Sequence, residues 1–398
     1  MIVEDTSGRV RLATSAACLL VLAASASAGL PLRVANDTQL RLALRRPRAG
    51  TLISIAPGNY RGGIYVRGAA GTEREPIVIE GRDPNRPPVF HGGAQALHLS
   101  DCSYVTLRHL VVKGFPRNGI NVDDGGTYKT PAHHITIEFV AFLDTGPRGN
   151  LDGLKMSGVD RFAVRNCRFE GWGGSAIDMV GCHHGVVEDC RFTGKRGFSQ
   201  ANAVQMKGGT TNVLVQTSFF EKAGQRAINL GGSTGLRYFR PKLDDYEAKD
   251  ITVAGNRFVG GMAPIAWVTA HGGHVHHNTI YNPDAFVLRI LQENAHVRQL
   301  KPCHDGLFEH NLIVCTGRLR EVVNIGPKTA PQTFTFRHNA WYLLGRPPRP
   351  RLPAAETDGV YRVDPKLKGP GTAEMKVTST DPRLKGIGAD AYEPPKKR

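Results

Sequence analysis

The sequence is poor in acidic residues, in tryptophan and in cysteine motifs. Asp and Glu number 35 against 51 Lys and Arg, so the formal net charge is +16. Three tryptophans supply few aromatic platforms, which disfavours a surface specialised only for stacking on sugars. The seven cysteines form no Cys-x-x-Cys pair and no Cys/His spacing of the kind that binds a metal, so no metal site is predicted from them.

Long apolar runs are confined to the N-terminus. Arg9 and Arg11 precede an apolar segment at 13–24, and Ala26-Ser27-Ala28 supplies small residues for a cleavage site. This order predicts a secretory signal peptide over residues 1–28 and a secreted or periplasmic protein. No other stretch approaches the ~20 apolar residues that a bilayer span requires, so no membrane span is predicted.

The positive charge survives removal of this signal, because residues 1–28 contain two charges of each sign. An exported protein with such an excess of cations is suited to an acidic polymer. Nucleic acid and a general bias toward Lys and Arg are the alternatives. We predict an acidic polysaccharide as the partner and no nucleic acid, and the charge leaves the oligomeric state open.

A short alternating motif recurs about every 22 to 38 residues. Representative copies read DRFAVRNCRF at 160–169, HHGVVEDCRF at 183–192 and KDITVAGNRF at 249–258. Aligned copies share one apolar column, which contains Leu107, Ile137, Val164, Val187, Val215, Val253, Val275, Phe308 and Phe336. A polar column contains Cys167, Cys190, Ser218, Asn256, Asn278, Asn311 and Asn339. Because one coil cannot bury its apolar face alone, such columns predict a solenoid with a continuous core.

The period of the motif indicates which solenoid it is. Apolar residues alternate over stretches of about five, with Gly, Asn and Asp between them, which is typical of strands rather than helix pairs. A propeller is the alternative, but units of about 22 residues are too short for four-stranded blades. The predicted fold class is all-β, a right-handed parallel β-helix with an N-terminal capping helix after Asn36. Cys167 and Cys190 share a column on adjacent coils, which suits either a disulfide or two packed thiols.

The repeat also predicts the organisation of the chain. The predicted segments are a signal peptide at 1–28, an N-terminal cap at 29–50, the β-helix at 51–345, and an extended C-terminal tail and end cap at 346–398. Two connections, 233–249 and 292–304, are long, and such loops on a solenoid line a binding face.

A second strand in each coil carries the polar positions. It reads DGLKM at 152, SAIDM at 175, NAVQM at 202 and RAINL at 226. Strand alternation buries the third residue of each and points the fourth outward, which gives the column Asn121, Lys155, Asp178, Gln205, Asn229, Ala266, Arg289 and Asn324. Lys207 follows two residues after Gln205. Small residues flank the column, so we predict a groove for an acidic sugar chain that lies along the axis, one coil every ~4.8 Å.

The opening coils resemble a known enzyme family. The phrases APGNY at 56–60, PIVIEG at 76–81 and LRHLVVKG at 107–114 are similar to the start of the chondroitinase B and alginate lyase family, within the pectate-lyase-like β-helices. This resemblance covers about the first third of the chain. Later stretches such as NAVQMKGG and QRAINLGGSTG resemble uncharacterised secreted bacterial β-helix proteins, which implies no reaction.

The resemblance implies a polysaccharide lyase that cleaves by β-elimination. In that family a lysine removes the proton beside the uronate carboxylate, an arginine assists the leaving oxygen, and calcium neutralises the carboxylate. Lys207 matches the lysine, and Arg226 and Arg240 are the candidates for the arginine. The acidic calcium ligands correspond to the amides Gln200 and Asn202, so no cofactor is predicted with certainty and calcium stays an alternative.

The same residues suit elimination without a metal. Repulsion from Arg226 and Lys155 would lower the pKa of Lys207 and make it a base. Arg226 and the amides of the column would stabilise the enolate-like charge, and Asp178 would orient the lysine. The predicted catalytic residues are Lys207, Arg226 and Asp178. The predicted substrate-binding residues are Lys155, Asp152, Gln205, Asn229, Arg240 and Arg289.

Three other functions remain open. Asp152 and Asp178, on successive coils, could serve as the two carboxylates of a glycoside hydrolase, which stand ~5 to 9.5 Å apart. The sequence lacks the NTD, paired-Asp, GHG and RIK motifs of the polygalacturonase type. A uronate epimerase would share the proton abstraction, and a non-catalytic carbohydrate-binding or surface protein would share the fold.

Overall fold

The computed structural model describes residues 30–294 and 298–396. The predicted signal peptide, 1–28, lies outside these residues. One α-helix, Asp37–Ala43, precedes a long stack of short strands whose pairings are parallel in both sheets. Four 3-10 turns are Leu236–Tyr238, Pro331–Thr333, Pro382–Leu384 and Ala389–Ala391. Among the described residues, no helix has the length and apolar character needed to cross a membrane.

The strands form two sheets that wind around a common core, as expected for a parallel β-helix. The smaller sheet takes one strand from each coil: Ile64–Arg67, Leu97–Ser100, Ile120–Asp123, Leu154–Ser157, Ser175–Val180, Asn202–Lys207, Arg226–Gly231, Ala263–Val268, Phe286–Leu291 and Glu321–Ile325. We call it the ten-stranded sheet. The larger sheet has 24 strands: Leu32–Val34, Leu52–Ile55, Asn59–Arg61, Ile77–Gly81, Val89–His91, Ser103–Lys113, Ala132–Thr145, Val159–Arg165, Arg168–Trp172, His183–Glu188, Arg191–Thr193, Thr210–Gln216, Phe219–Glu221, Ala248–Ala254, Arg257–Val259, Ala270–His271, His274–His276, Thr279–Tyr281, Leu307–Glu309, Leu312–Cys315, Thr335–Arg337, Ala340–Leu343, Glu356–Thr357 and Val360–Tyr361.

Like residues stack on one another through the core. Val187 pairs with Val164 on one side and with Val215 on the other, as the apolar column predicts. Phenylalanine rings stack with centroids 4.6 to 4.9 Å apart in the order Phe142, Phe169, Phe192, Phe220 and Phe258. Each of these rings is buried, and burying one such side chain stabilises the fold by ~2 kcal/mol.

The polar column forms a ladder of buried amides. Asn256 Nδ2 donates to Asn278 Oδ1 at 3.1 Å, and Asn278 donates in turn to Asn311 at 2.9 Å. The same amides also donate to main-chain carbonyls, so their burial is compensated. In earlier coils Cys167 and Cys190 take the equivalent positions as free, buried thiols, and burial raises the pKa of Cys190. The packed-thiol alternative is therefore the one observed.

The N-terminal end of the solenoid is covered by the helix, as predicted. Asn36 caps Asp37–Ala43, because its Oδ1 accepts from the backbone N–H of Gln39 at 3.0 Å. Leu40 is fully buried against the core.

The C-terminal region has two parts. Segment 346–353 leaves the last coil, and Leu352 packs against the open end of the core. Glu356–Thr357 and Val360–Tyr361 then pair in parallel with the preceding coil and extend the larger sheet. The residues after them turn back along the side of the solenoid, where Tyr392 Oη donates to Gln216 Oε1 at 2.7 Å. The last residues of the described chain therefore lie against earlier coils.

Candidate active site

The ten-stranded sheet carries the polar column on its outer face. Its strands are in register, so that neighbouring members of the column follow in the order Asn121, Lys155, Asp178, Gln205, Asn229, Ala266, Arg289 and Asn324. The structure therefore has these residues in the order along the solenoid axis that strand alternation predicts. The contacts that the side chains make differ from one position of the column to the next.

Asp178 lies between two lysines. Its Oδ1 is 3.1 Å from Lys207 Nζ, and Lys155 Nζ donates to its Oδ2. Lys207 Nζ also donates to Gln205 Oε1 at 3.1 Å. The Asp178 side chain is fully buried, whereas 23% of the Lys155 side chain and 11% of the Lys207 side chain are exposed. Solvent therefore reaches the two lysines but not the carboxylate that holds them.

A second carboxylate, Asp152, adjoins this group. Its Oδ2 is 3.6 Å from Lys155 Nζ, and its Oδ1 accepts from the backbone N–H of Ser175 at 2.8 Å. Burial and the charge of Asp178 raise the pKa of Asp152 to about 6. Burial acts in the same direction on Asp178, but the two lysines outweigh it and lower the pKa of Asp178. We call Asp152, Lys155, Asp178 and Lys207 the lysine–aspartate cluster.

The charges around Lys207 differ from the expectation. Repulsion from neighbouring cations was predicted to act on it, but the charged group in contact with Lys207 is the carboxylate of Asp178. Burial acts to lower the pKa of Lys155, yet Asp178 and Asp152 outweigh that effect and raise it. Because Asp178 lies between the lysines, attraction to a carboxylate replaces repulsion between amines.

Arg226 is separated from Lys207. It pairs in register with Asn202, which is five residues before Lys207, or roughly 16 Å along a strand at ~3.3 Å per residue. Its guanidinium donates to both carboxylate oxygens of Glu293, with Nη1 2.8 Å from Oε2. The expected clustering of Arg226 with Lys207 is therefore absent, because the two residues occupy opposite ends of neighbouring strands.

Arg240 anchors a loop. The connection 232–247 crosses the corners of earlier coils, and Arg240 Nε donates to the buried Asp124 Oδ2 at 2.8 Å. The guanidinium carbon also lies 4.0 Å from the ring centroid of Tyr128. Glycine is required beneath this loop, because a Cβ added at Gly181, where φ is +58°, would lie 2.4 Å from Arg240 Cβ. The predicted substrate-binding role of Arg240 competes with these contacts within the protein.

The two long connections meet beside the lysine–aspartate cluster. Buried Glu247, in the first, accepts from the backbone N–H groups of Gly208 and Thr234 at 2.7 Å each. Asn294, in the second, donates to Glu247 Oε1 at 2.5 Å and to the Thr234 carbonyl at 3.1 Å. A buried carboxylate with several donors therefore ties both loops to the strand that carries Lys207.

These loops cover part of the face on which we predicted an open groove. A Cβ added at Gly232 would lie 2.8 Å from Gln205 Nε2 and 3.1 Å from Lys207 Cδ. Gln205 and Asn229 are buried, and Asn229 Nδ2 donates to the Gly231 carbonyl at 3.2 Å. The predicted exposure of the whole column is therefore wrong at its centre.

Arg289 lies on the same face beyond this covered part. Its Nε donates to Asn324 Oδ1 at 2.9 Å, which keeps the two neighbours of the column in contact. Burial and the charge of Arg226 lower the pKa of Arg289. The role of Arg289 in substrate binding stays a prediction.

The first coils add residues that sequence reasoning missed. Tyr65 is exposed and meets the ring of His98 edge-on, with centroids 4.8 Å apart. His98 Nε2 lies 2.5 Å from Asp123 Oδ2. Burial acts to raise the pKa of Asp123, but hydrogen bonds from His98 and Ser100 outweigh that effect and lower the pKa. The patterns IYV and LHL repeat the apolar-polar-apolar order of the later strands, so extending the column upstream would have found Tyr65 and His98.

The residues at the expected calcium positions do not fit that ion. Gln200 Oε1 accepts from the backbone N–H of Lys195 at 2.5 Å, and Asn202 Nδ2 donates to Ser175 Oγ at 3.4 Å. The nearby carboxylates already contact lysine ammonium groups, which would repel a divalent cation. Elsewhere in residues 30–294 and 298–396, one group with converging metal-ligand atoms consists of His271, His304 and Asp305, at a corner of the coils.

Comparison with known proteins agrees with this architecture. Residues 95–298, more than half of the chain, match the family model described as "right handed beta helix region". The chain belongs to this family. The predicted right-handed parallel β-helix is thereby confirmed, as is the resemblance to the pectate-lyase-like superfamily at the level of fold. No curated relative matches the sequence.

Two solved structures have a similar fold. An alginate lyase from Paenibacillus sp. str. FPU-7 is 17% identical, with a TM-score of 0.51, over 76% of this chain and 98% of that one. The pectate lyase Pel9A is 14% identical, with a TM-score of 0.52, over 78% of this chain and 80% of that one. At such identities the likeness concerns the fold alone.

Proposed function

We propose that this β-helix protein is a polysaccharide lyase that cleaves a uronate-containing polymer at the lysine–aspartate cluster. The observation that supports it most is the pair of lysines on either side of the buried Asp178, of which Lys155 is partly exposed and Lys207 is mostly buried. Paired cations suit the carboxylate of a uronate. The net charge of +16 would attract such a polymer. The shared fold with an alginate lyase and a pectate lyase supplies a suitable scaffold.

In the proposed reaction, neutral Lys207 takes the proton from the carbon beside the uronate carboxylate. The ammonium group of Lys155 stabilises the negative charge that develops on that carboxylate. The electron pair then forms a carbon–carbon double bond and expels the glycosidic oxygen from the neighbouring carbon. The expelled oxygen takes a proton from the Lys155 ammonium group, which regains one from the buried Asp152, because Asp152 Oδ2 lies 3.6 Å from Lys155 Nζ. The pKa of Asp152, about 6, leaves a useful protonated fraction near neutrality. Lys207 ends protonated and Asp152 ends ionised, so the protons balance.

The direct test is to incubate the purified protein with alginate, pectate, chondroitin and heparin. Formation of the unsaturated uronate product is followed by its ultraviolet absorbance. We expect Lys207→Ala to lower kcat at least ~100-fold, because it removes the base. Lys113→Ala, an exposed lysine on the 24-stranded sheet, is the matched control and should match the wild type. A flat absorbance trace with every polymer would remove the lyase proposal.

The pH dependence tests the assignment of Asp152. The proposed acid acts in its protonated form, so kcat should fall as the pH rises through about 6. Asp152→Asn should lose this falling limb and most of the activity. A profile of unchanged shape in Asp152→Asn would mean that another group supplies the proton.

A second candidate, glycoside hydrolysis, is favoured by the two carboxylates. Asp152 and Asp178 both contact Lys155, and their environments move the two pKa values apart, which is how acid and base roles arise in such enzymes. Hydrolysis would produce new reducing ends without ultraviolet absorbance. It would also respond strongly to Asp178→Asn and weakly to Lys207→Ala.

We propose that neither reaction requires calcium and that the protein acts outside the cytoplasm. The independence from calcium follows from the amides at the expected ligand positions, and treatment with EDTA should leave activity unchanged.

The location outside the cytoplasm follows from the signal-like N-terminal sequence. N-terminal sequencing of protein recovered from culture medium or periplasm should begin near residue 29, and an intact Met1 would contradict it.

A further inference from the structure

A cleft lies at the C-terminal end of the solenoid. It is bounded by the last strand of the ten-stranded sheet, Glu321–Ile325, and by segment 346–353. Its volume is about 1050 Å³. The cationic residues that line it are Arg320, Arg346, Arg349 and Arg351. Glu321 is the one acidic lining residue, and we call this feature the arginine cleft.

The four cleft arginines differ from most cations near the ten-stranded sheet. Arg226 and Arg240 each form an ion pair with a carboxylate, and so do both lysines of the cluster. Across the described parts of the chain, none of the four cleft guanidinium groups lies in an ion pair. Their charges are therefore uncompensated within the protein and are free to attract an external anion.

The cleft is also partly pre-organised. The guanidinium carbon of Arg349 lies 5.2 Å from the ring centroid of Tyr361, and that of Arg320 lies 5.8 Å from the ring centroid of Phe286. Four prolines between 347 and 353 restrict the backbone of the facing wall to an extended form. A ligand would therefore lose little free energy in ordering these groups.

The remaining wall supplies hydrogen-bonding groups. Glu321–Ile325 is the last strand of its sheet, and among the described residues no further strand pairs with its outer edge. Backbone N–H and C=O groups along that edge are available to hydroxyl groups of a ligand. Asn324 adds a side-chain amide at the same wall. Cations beside such groups suit a polymer that carries both anions and hydroxyls.

We propose that the arginine cleft binds a segment of an anionic polysaccharide through its carboxylate or sulfate groups. Guanidinium groups present two parallel N–H donors that match these anions. The choice of a polysaccharide rests on the proposed function. Four strand spacings separate the strand of Lys207 from Glu321–Ile325, roughly 19 Å at ~4.8 Å each. A long chain can engage both sites, whereas a short oligosaccharide can occupy one, so the cleft favours long substrates.

The test measures binding separately from turnover. In a Lys207→Ala background, the triple variant R346Q/R349Q/R351Q is titrated calorimetrically with alginate, a carboxylated polymer, and with heparin, a sulfated one. We expect the Kd for the preferred polymer to rise at least about tenfold, since several charge-assisted hydrogen bonds are lost. The variant R45Q/R117Q/R196Q has the same change in net charge at exposed sites elsewhere and should stay within about twofold.

The outcomes separate this proposal from the proposed reaction. Loss of affinity in the cleft variant alone supports the cleft even if no polymer is cleaved, and the more affected polymer identifies carboxylate or sulfate as the anion. Equal losses in both triple variants would overturn the proposal in favour of diffuse charge attraction. Tighter, cleft-dependent binding of a single-stranded RNA oligonucleotide would also overturn it. If the reaction is confirmed, the cleft variant should raise KM for long polymers more than for short oligosaccharides.

Discussion

The lysine–aspartate cluster and the arginine cleft are two regions of one solenoid that differ in how their positive charges are compensated. In the cluster, each lysine contacts the buried Asp178. In the cleft, the described structure gives the four guanidinium groups no carboxylate partner. Buried pairs hold atoms in fixed positions and shift proton affinities, which chemistry requires. Unpaired exposed cations keep their attraction for a ligand, which capture of a polymer requires.

The largest effect should come from removing the central carboxylate of the cluster. Asp178→Ala leaves two partly buried ammonium groups facing each other, so we expect the free energy of unfolding to fall by about 3 to 5 kcal/mol. Chemical denaturation at neutral pH measures it. Glu170→Gln, at a more exposed ion pair with Arg168, is the control and should cost less than ~1 kcal/mol. Equal losses in the two variants would mean that burial does not distinguish Asp178.

The next effect is a pH dependence that the cluster should show and the arginine cleft should not. Asp152 has a folded pKa of about 6, above its value of ~3.9 in an unfolded chain. Its stabilising contribution is present below pH ~4 and is lost as the pH rises through 6. Asp152→Asn lacks this loss, so its stability relative to the wild type should rise by roughly 3 kcal/mol between pH 4 and 8.

Urea unfolding of both proteins at several pH values measures this difference. The lowered pKa of Asp178 has the opposite effect on stability. Its stabilising contribution is lost as the pH falls below the pKa of an unfolded aspartate, which lies outside the range from pH 4 to 8. Parallel stability curves for the wild type and Asp152→Asn would show that the raised pKa is absent in solution.

A smaller loss should follow from releasing the loop that crosses the corners. Arg240→Ala leaves the buried Asp124 without its cation and removes the contact with Tyr128. We expect unfolding to become easier by about 2 kcal/mol, with faster proteolysis of 232–247. Arg237→Ala, an exposed arginine of the same loop, is the control and should change neither readout. Similar behaviour of both variants would contradict an anchoring role for Arg240.

The smallest effect on stability is expected in the arginine cleft. Arg349→Gln with Arg351→Gln removes two cations that have no ion-pair partner in the described chain and one contact with the Tyr361 ring, so the free energy of unfolding should change by less than ~1 kcal/mol. Thermal and urea unfolding measure it. A loss above about 2 kcal/mol would show that these arginines hold the end of the solenoid, and the contrast between the two regions would disappear.

Much of the fold could be predicted because the repeat is local. The pairing of Val187 with Val164 and Val215 follows from the alternating motif that recurs in successive strands. The order of Lys155, Asp178 and Gln205 on one face follows from the same alternation. A solenoid coil contacts only its neighbours, so short-range pattern and long-range structure coincide there.

The contacts of the candidate site could not be predicted in the same way. Arg226 pairs with Glu293, which is 67 residues away, and Arg240 pairs with Asp124 at a separation of 116 residues. Both contacts involve loops outside the repeat, so no period relates their partners. The expected neighbours of Lys207 were therefore only partly right, with Lys155 in the cluster and Arg226 outside it.

The amino-acid pattern alone was sufficient to establish a right-handed parallel β-helix, its apolar and amide columns, and the row of polar residues on one sheet. Folding in three dimensions decided which of those residues are covered, which charges are paired, and which carboxyl group holds its proton near pH 6. The physical reason is that the face of the sheet to which a side chain points depends on the alternation of residues along the chain. Burial and proton affinity instead depend on every atom nearby, including those that 232–247 and Asn294 bring from distant positions.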